Sequence, residues 1–291
     1  MRTVLFATDG SKASEAAALA ARRLLDQWPD AKLHVLYVSV EAAYGYDISP
    51  ETTKHHEEHV ASEIEQRLAS GVYRDCADRV VYSHDAGSPA RVICDVAKAD
   101  SAEMIVVGSH GHGRLDRMVL GSVSREVTRR TSIPVLIVPS YIDTATFKLS
   151  RILFATDGSP GSEEAAAFVQ NLLEEFPTLT AQSLYVRNDA MYAPFGQVVT
   201  ETASRERAWA KMLREQLTTK TFAKYADRHQ HMEAEGQPSV LICLTAEDAQ
   251  LDAIVMGSHG FGPVNRFLLG SVSEEVAHRA RVPVIVVRHH E

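Results

Sequence analysis

Cysteine is scarce in this 291-residue chain: Cys76, Cys94 and Cys243 are too few and too scattered for a disulfide framework. Long apolar runs are missing, and no stretch approaches the roughly 20 residues of a membrane-spanning helix. The opening MRTVLFATDG enters a strand pattern at once, without a signal peptide's long apolar region or cleavage site, so a cytoplasmic protein is expected. A basic excess is also lacking. The 30 lysines and arginines face 38 aspartates and glutamates, a formal charge of −8. That argues against nucleic acid as the main partner, because phosphate-backbone affinity needs clustered cations. What is present, 45% apolar and 23% charged residues, suits a soluble globular protein long enough for two domains.

The chain repeats itself. LFATDGS occurs at residues 5–11 and again at 153–159, an offset of 148. Tyr37-Val38 returns as Tyr185-Val186 at the same offset. Gly87-Ser88-Pro89 matches Gly236-Gln237-Pro238, and GSHG at Gly108 matches GSHG at Gly257, both at offset 149. So long a period is a duplicated domain, not a solenoid unit. The expected domains are residues 1–140 and 151–291, with the weakly patterned 141–150 as linker.

Within each copy short apolar runs alternate with helical periodicity. The first copy predicts strands at 3–7, 33–38, 79–83, 104–107 and 134–138, and helices at 12–27, 50–70, 89–98 and 122–130. The second predicts strands at 152–155, 181–186, 229–233, 253–256 and 284–287. Strands separated by helices imply right-handed crossovers. The expected fold class is therefore α/β: two tandem doubly wound domains, each a five-stranded parallel sheet with helices on both faces. The unbroken apolar runs MIVV and VLIV fit strands buried on both sides.

The stretch IVVGSHGHGRLDRMVLGSVS at 105–124 joins a strand end, a glycine loop and a helix start. Gly108, Gly111 and Gly121-Ser122 recur at identical spacing as Gly257, Gly260 and Gly270-Ser271. Such a helix start can hold an anion on free amides, with about 0.3–1 kcal/mol from the helix dipole. Ser122 and Ser271 are placed to cap their helices, and Glu274 would complete a capping box with Ser271. The alternative is that the glycines merely turn the chain after a strand. No lysine precedes Ser122, so a Walker loop is absent. Neither does GxGxxG follow the first strand, so the dinucleotide fingerprint is absent too.

Asp9 and Asp157 close the first strand of each copy. Each could accept hydrogen bonds from a ribose or an adenine amino group, or serve only the Asp-Gly-Ser turn. Ser11 and Ser159 read as helix caps, the latter strengthened by Pro160 at the first helical position. His110 and His259 read as loop-ordering rather than catalytic, since no nucleophile stands out. Cys94 and Cys243 read as buried small hydrophobes. His55-His56-Glu57-Glu58-His59 matches a zinc-peptidase HxxEH pattern, but residues 203–207 of the second copy do not. A solvated helix face is expected there, and His289-His290 is read with the same caution.

The spacing Gly-x2-Gly-x9-Gly-Ser, with an ATDGS first turn and a closing Pro-Val-x-Val-Val-like strand, resembles the universal stress protein family over nearly the whole chain, twice. The resemblance implies an adenine-nucleotide alpha-hydrolase-like arrangement and, in the family's ATP-binding branch, a loop holding ribose and phosphates. Carried over by position, it implies nucleotide contacts at Asp9, Val38, Gly108, Gly111, Gly121, Ser122 and Val123. In the second copy these become Asp157, Val186, Gly257, Gly260, Gly270, Ser271 and Val272. It further implies ATP (AMP or ADP as alternatives) with Mg²⁺ through the phosphates, no catalytic residue and no protein-bound metal. The implied role is a regulatory stress-response binder whose domains pair through their last strands within one chain or in a homodimer. A slow ATPase and a nucleotide-independent interaction module stay open beside it. Pro263 replaces Arg114, leaving Arg266 to match Arg117, and polar Gln182-Ser183 make the second strand less apolar, so a weaker or differently loaded second site is expected.

Overall fold

The computed structural model describes residues 2–40, 50–110, 120–142, 147–187, 198–261 and 269–288. Two α/β units divide the chain at Lys148/Leu149. The first contains β1 (Thr3–Thr8), α1 (Glu15–Gln27), β2 (Lys32–Ser39), α2 (Pro50–Ser70), β3 (Val80–Ala86), α3 (Pro89–Ala99), β4 (Met104–Gly108), α4 (Ser122–Arg130) and β5 (Val135–Val138). The second repeats the plan with β6 (Arg151–Ala155), α5 (Pro160–Glu175), β7 (Thr180–Arg187), α6 (Val198–Gln216), β8 (His229–Glu235), α7 (Pro238–Asp248), β9 (Ala253–Gly257), α8 (Ser271–Arg279) and β10 (Val284–Val287).

Every strand pair within a unit is parallel, in the order β3-β2-β1-β4-β5 in the first and β8-β7-β6-β9-β10 in the second. The order reverses between β1 and β4. With right-handed crossovers, α1 and α2 therefore cover one face while α3 and α4, packed together, cover the other. That reversal opens a crevice beyond the carboxyl ends of β1 and β4, where open α/β sheets take ligands. Register brings the expected residues there: Ala7 pairs with Val107 and Ala155 with Met256. Asp9 thus follows β1 beside Gly108, and Asp157 follows β6 beside Gly257.

The central strands are buried along almost their whole length, so they read as continuous apolar runs. Ala16, Ala17, Ala20 and Ala21 of α1 are buried, and their small side chains let the helix lie close against the sheet. β3 alternates half-buried and exposed residues, as a polar strand at the border of its sheet should.

Three local details differ from expectation. Residues 12–14 form a separate 3₁₀ turn before α1, and Ser11 makes no side-chain cap. Gly121 and Gly270 occupy the cap positions of α4 and α8, moving Ser122 and Ser271 into the first turn. The capping box of Ser271 and Glu274 is accordingly not formed. The hydroxyls of Ser124 and Ser273 instead tie the helices to the preceding strand ends, donating to the carbonyls of Gly108 (2.6 Å) and Gly257 (2.9 Å). Ser159, in contrast, does cap α5, accepting the Ser162 N–H at 3.3 Å with Pro160 directly after it.

Candidate functional site

The repeated Ala-Thr-Asp-Gly-Ser turn builds one wall of the site. Thr156 Oγ1 donates to Ser162 Oγ at 3.0 Å, tying the end of β6 to the start of α5. Thr8 and Ser14 make the matching 2.9 Å bond in the first unit. Asp157 Oδ1 accepts the Ser159 N–H at 3.0 Å, and Asp9 does the same for Ser11. Gly158 and Gly10 follow with φ of +79° and +76°, a conformation that favours glycine. The aspartates therefore do perform the turn role. Asp157 also lines a cavity, so turn and ligand contact are compatible on one carboxylate.

That cavity, about 560–610 Å³ being the scale in both units, is well gathered in the second, where it measures about 610 Å³. Asp157 and Val186 reach it from the ends of β6 and β7. Gly257, Gly260, Gly270, Ser271 and Val272 reach it from the glycine loop and α8. All seven positions carried over for the second copy thus meet at one place. The size suits a small-molecule ligand.

Where α8 begins at the cavity, its first intrahelical bond runs from the Glu274 N–H to the Gly270 carbonyl at 2.8 Å. The amides of Ser271, Val272 and Ser273 precede that bond and have no acceptor within the helix, and all three residues line the cavity. The loop is held shut behind them by Gly270 N–H to Ser258 carbonyl at 2.8 Å and Ser258 N–H to Val287 carbonyl at 2.8 Å. Close backbone approach explains the glycines. A Cβ on Gly257 would come within 2.5 Å of the Gly161 carbonyl oxygen, and one on Gly260 within 2.4 Å of Asp157 Oδ2.

His259 lines the cavity with Nδ1 2.8 Å from Ser258 Oγ. Burial, helped by Arg288, lowers its pKa and so disfavours the charged imidazole. Ser258 is only 1% exposed, so the pair holds the loop and presents no nucleophile. Ser109 and His110 repeat the bond at 2.8 Å. The loop-ordering role expected for both histidines is the one their geometry supports.

In the first unit the described residues leave an open crevice of about 560 Å³ along Asp9, Gly10 and α2. Of the first-copy set, only Asp9 lines it. Val38 is buried at the end of β2, while Gly108 and Gly121 keep the loop bonds of their counterparts: Gly121 N–H meets the Ser109 carbonyl at 2.7 Å. Ser122 and Val123 begin α4. Gly111, Arg114 and Arg117 lie outside the described residues, as do Pro263, Arg266 and His289-His290.

Other expectations resolve simply. His55 and His59 point into solvent, each within 4 Å of a carboxylate on its own helix, Glu58 at 3.7 Å and Glu63 at 3.3 Å. Among the described residues no group of three potential ligands could hold a metal ion. Cys243 is buried and Cys94 half-buried, with thiols that burial pushes up to about 12 and about 11. No helix among the described residues is long and apolar enough to cross a membrane.

The structure adds residues the motifs did not reveal. Tyr185 donates its hydroxyl to Glu206 at 2.8 Å, and both line the second-unit cavity beside Trp209 and Phe261. The repeated Tyr-Val pair was a signal for Tyr185. Glu206, Trp209 and Phe261 had none, because they stand where the two copies differ.

Comparison with known proteins agrees with this duplicated plan. The model of the universal stress protein family matches residues 1–139 and again 148–288. A universal stress protein of Mycolicibacterium smegmatis is 36% identical over 203 residues, 69% of this chain and 66% of that protein. One of Mycobacterium tuberculosis is 33% identical over 199 residues, 65% of this chain and 63% of that protein. These matches therefore span about two thirds of the relatives' length. The crystal structure of a universal stress protein from Archaeoglobus fulgidus superposes with a TM-score of 0.73 at 23% identity, covering 99% of this chain and 97% of that one, and shares the fold. With both halves matched by the family model, the chain belongs to the universal stress protein family.

Proposed function

We propose that this protein is a stress-response regulator that binds an adenine nucleotide, ATP with Mg²⁺ carried on its phosphates, in the second-unit cavity and by repetition in the first. The observation that carries the reading is the union in one cavity of acceptor-free helix amides, close-packed glycines and an apolar wall. The amides of Ser271, Val272 and Ser273 suit phosphates, and Asp157 suits a ribose hydroxyl or an amino group. Occupancy would hold the glycine loop to α8 and so bias how domains or chains pair in the cytoplasm.

Calorimetric titration of nucleotide-stripped protein with ATP, AMP and GTP tests this. Saturable heat with ATP is expected, weakened strongly by Gly270→Asp, which sets a carboxylate among the loop amides. A ligand at a hundred times its Kd adds about 2.7 kcal/mol of stability, so the second unit should melt several degrees higher. Neither heat nor a melting shift with any adenine nucleotide would overturn the proposal and leave an interaction module. Phosphate release abolished by the same substitution would instead favour a slow ATPase.

A further inference from the structure

The second-unit cavity has a wall that the repeated motif does not explain. Phe261, one residue after Gly260, lines the cavity yet is 62% exposed, unusual for so large an apolar ring. It meets Trp209 edge-on, with ring centroids 5.4 Å apart and planes inclined by 77°. Trp209 is itself fixed at two points. Its indole N–H donates to the Asp157 carbonyl at 3.0 Å, and its benzo edge covers Gly158 so closely that a Cβ there would lie 2.6 Å from Cζ2. The tryptophan therefore links the first turn to the glycine loop and holds Phe261 from the side, leaving ring surface turned to water.

Asp157 stands at the same corner. Its Oδ2 lies 2.4 Å from where a Gly260 Cβ would be, one residue from Phe261. Asp157 and Phe261 line the same cavity, so a planar ring laid on Phe261 has a carboxylate acceptor within that cavity. Face and acceptor together suit an amino-bearing heteroaromatic base and offer nothing to a bare phosphate. The Trp–Phe pair itself is not repeated in the first copy's sequence. At offset 149 the counterparts of Trp209 and Phe261 are Val60 and His112.

Building on the nucleotide reading above, we propose that Phe261 and Trp209 form a base-binding corner, with Phe261 as the stacking face and Trp209 as its positioning residue. The second unit then selects its ligand by the base, and the two units differ in what they discriminate.

The test uses the full chain carrying Trp28→Phe, which leaves Trp209 as the sole indole. Its emission is followed during titration with ATP, adenosine and inorganic tripolyphosphate. A saturable change with ATP and adenosine, and none with tripolyphosphate, is expected. Adding Phe261→Ala should raise the Kd of both adenine ligands by about 5- to 140-fold, the range that base–aromatic stacking supplies, and Phe261→Tyr should restore it. Unchanged ATP affinity in Phe261→Ala, or an equal response to tripolyphosphate, overturns the corner and leaves nucleotide binding standing. Absence of ATP binding to the unsubstituted chain by calorimetry overturns the nucleotide reading, and the corner with it.

Discussion

Alanine at Gly257 and alanine at Gly108 are the same substitution at repeat-equivalent strand ends, and the structure gives them unequal consequences. A Cβ at Gly257 meets three backbone atoms: the Gly161 carbonyl oxygen at 2.5 Å, its carbon at 2.6 Å and the Ser162 nitrogen at 2.9 Å. None is the tip of a movable side chain, so α5 must withdraw by roughly 1 Å, and overpacking of this kind costs about 1–3 kcal/mol. At Gly108 the nearest atoms are the His110 carbonyl at 3.2 Å and the Ala13 carbonyl at 3.5 Å, contacts that need only a few tenths of an ångström. There, lost unfolded-chain entropy returns about 0.4–1 kcal/mol, and the net change should be near zero. The reason lies on the facing helix. The second copy has Gly161 where the first has Ala13, and α5 approaches the loop so closely that a Cβ on Gly161 would itself strike the His259 carbonyl at 2.5 Å. Each unit carries one tryptophan, Trp28 or Trp209, so unfolding can be followed unit by unit with the other indole replaced by phenylalanine. Gly257→Ala should lower the Trp209-detected midpoint by roughly 4–8 °C for about 2 kcal/mol, with Gly108→Ala leaving the Trp28 midpoint within about 2 °C. Equal shifts in both units, or a harmless Gly257→Ala, would refute the reasoning from backbone approach.

Arg228 donates to the carbonyls of Leu173 (3.0 Å), Phe176 (3.0 Å) and Leu179 (3.3 Å), closing the end of α5, so Arg228→Ala should cost the second unit about 1.5–3 kcal/mol in urea unfolding. His229, buried and stacked on Phe222 with centroids 4.2 Å apart, has its pKa lowered to about 4 by burial and by neighbouring His231. The unfolded chain therefore binds the extra proton between about pH 6.5 and 4, and stability, full above that window, falls by up to about 3 kcal/mol as the pH drops through it. His229→Gln should flatten that acid slope by close to one proton, measured as unfolding midpoint against pH. Because burial raises the thiol pKa of Cys76, Cys94 and Cys243, Ellman's reagent at pH 8 should react slowly with native protein and reach all three only after denaturation.

Much of the fold was legible because its signals are local. Helix α2 and helix α4 occupy the residues their periodicity predicted, 50–70 and 122–130, and strand β10 matches 284–287. Errors fell at helix starts. Gly121 and Gly270 take the cap positions, which puts Ser122 and Ser271, the expected caps, one residue inside their helices. The expectation of a weaker or differently loaded second site rested on Pro263, which lies outside the described residues, and on Gln182-Ser183, which lie in β7. What is described is a cavity gathering all seven second-copy positions.

By itself the sequence determined the duplication, the alternation of strand and helix, and the place of the glycine loop. Periodicity and repetition are written into neighbouring residues, so no three-dimensional knowledge is needed to read them. Only the tertiary structure decided which side chains wall the cavity and which glycines tolerate a Cβ. Trp209 meets the Asp157 carbonyl across 52 positions, and Arg228 meets Leu173 across 55. Such partners are chosen by how helices settle on a twisted sheet, and that choice leaves no local pattern. Gly257 and Gly108 are the same letter in the same repeated motif, yet the distance to the facing helix sets their tolerance apart.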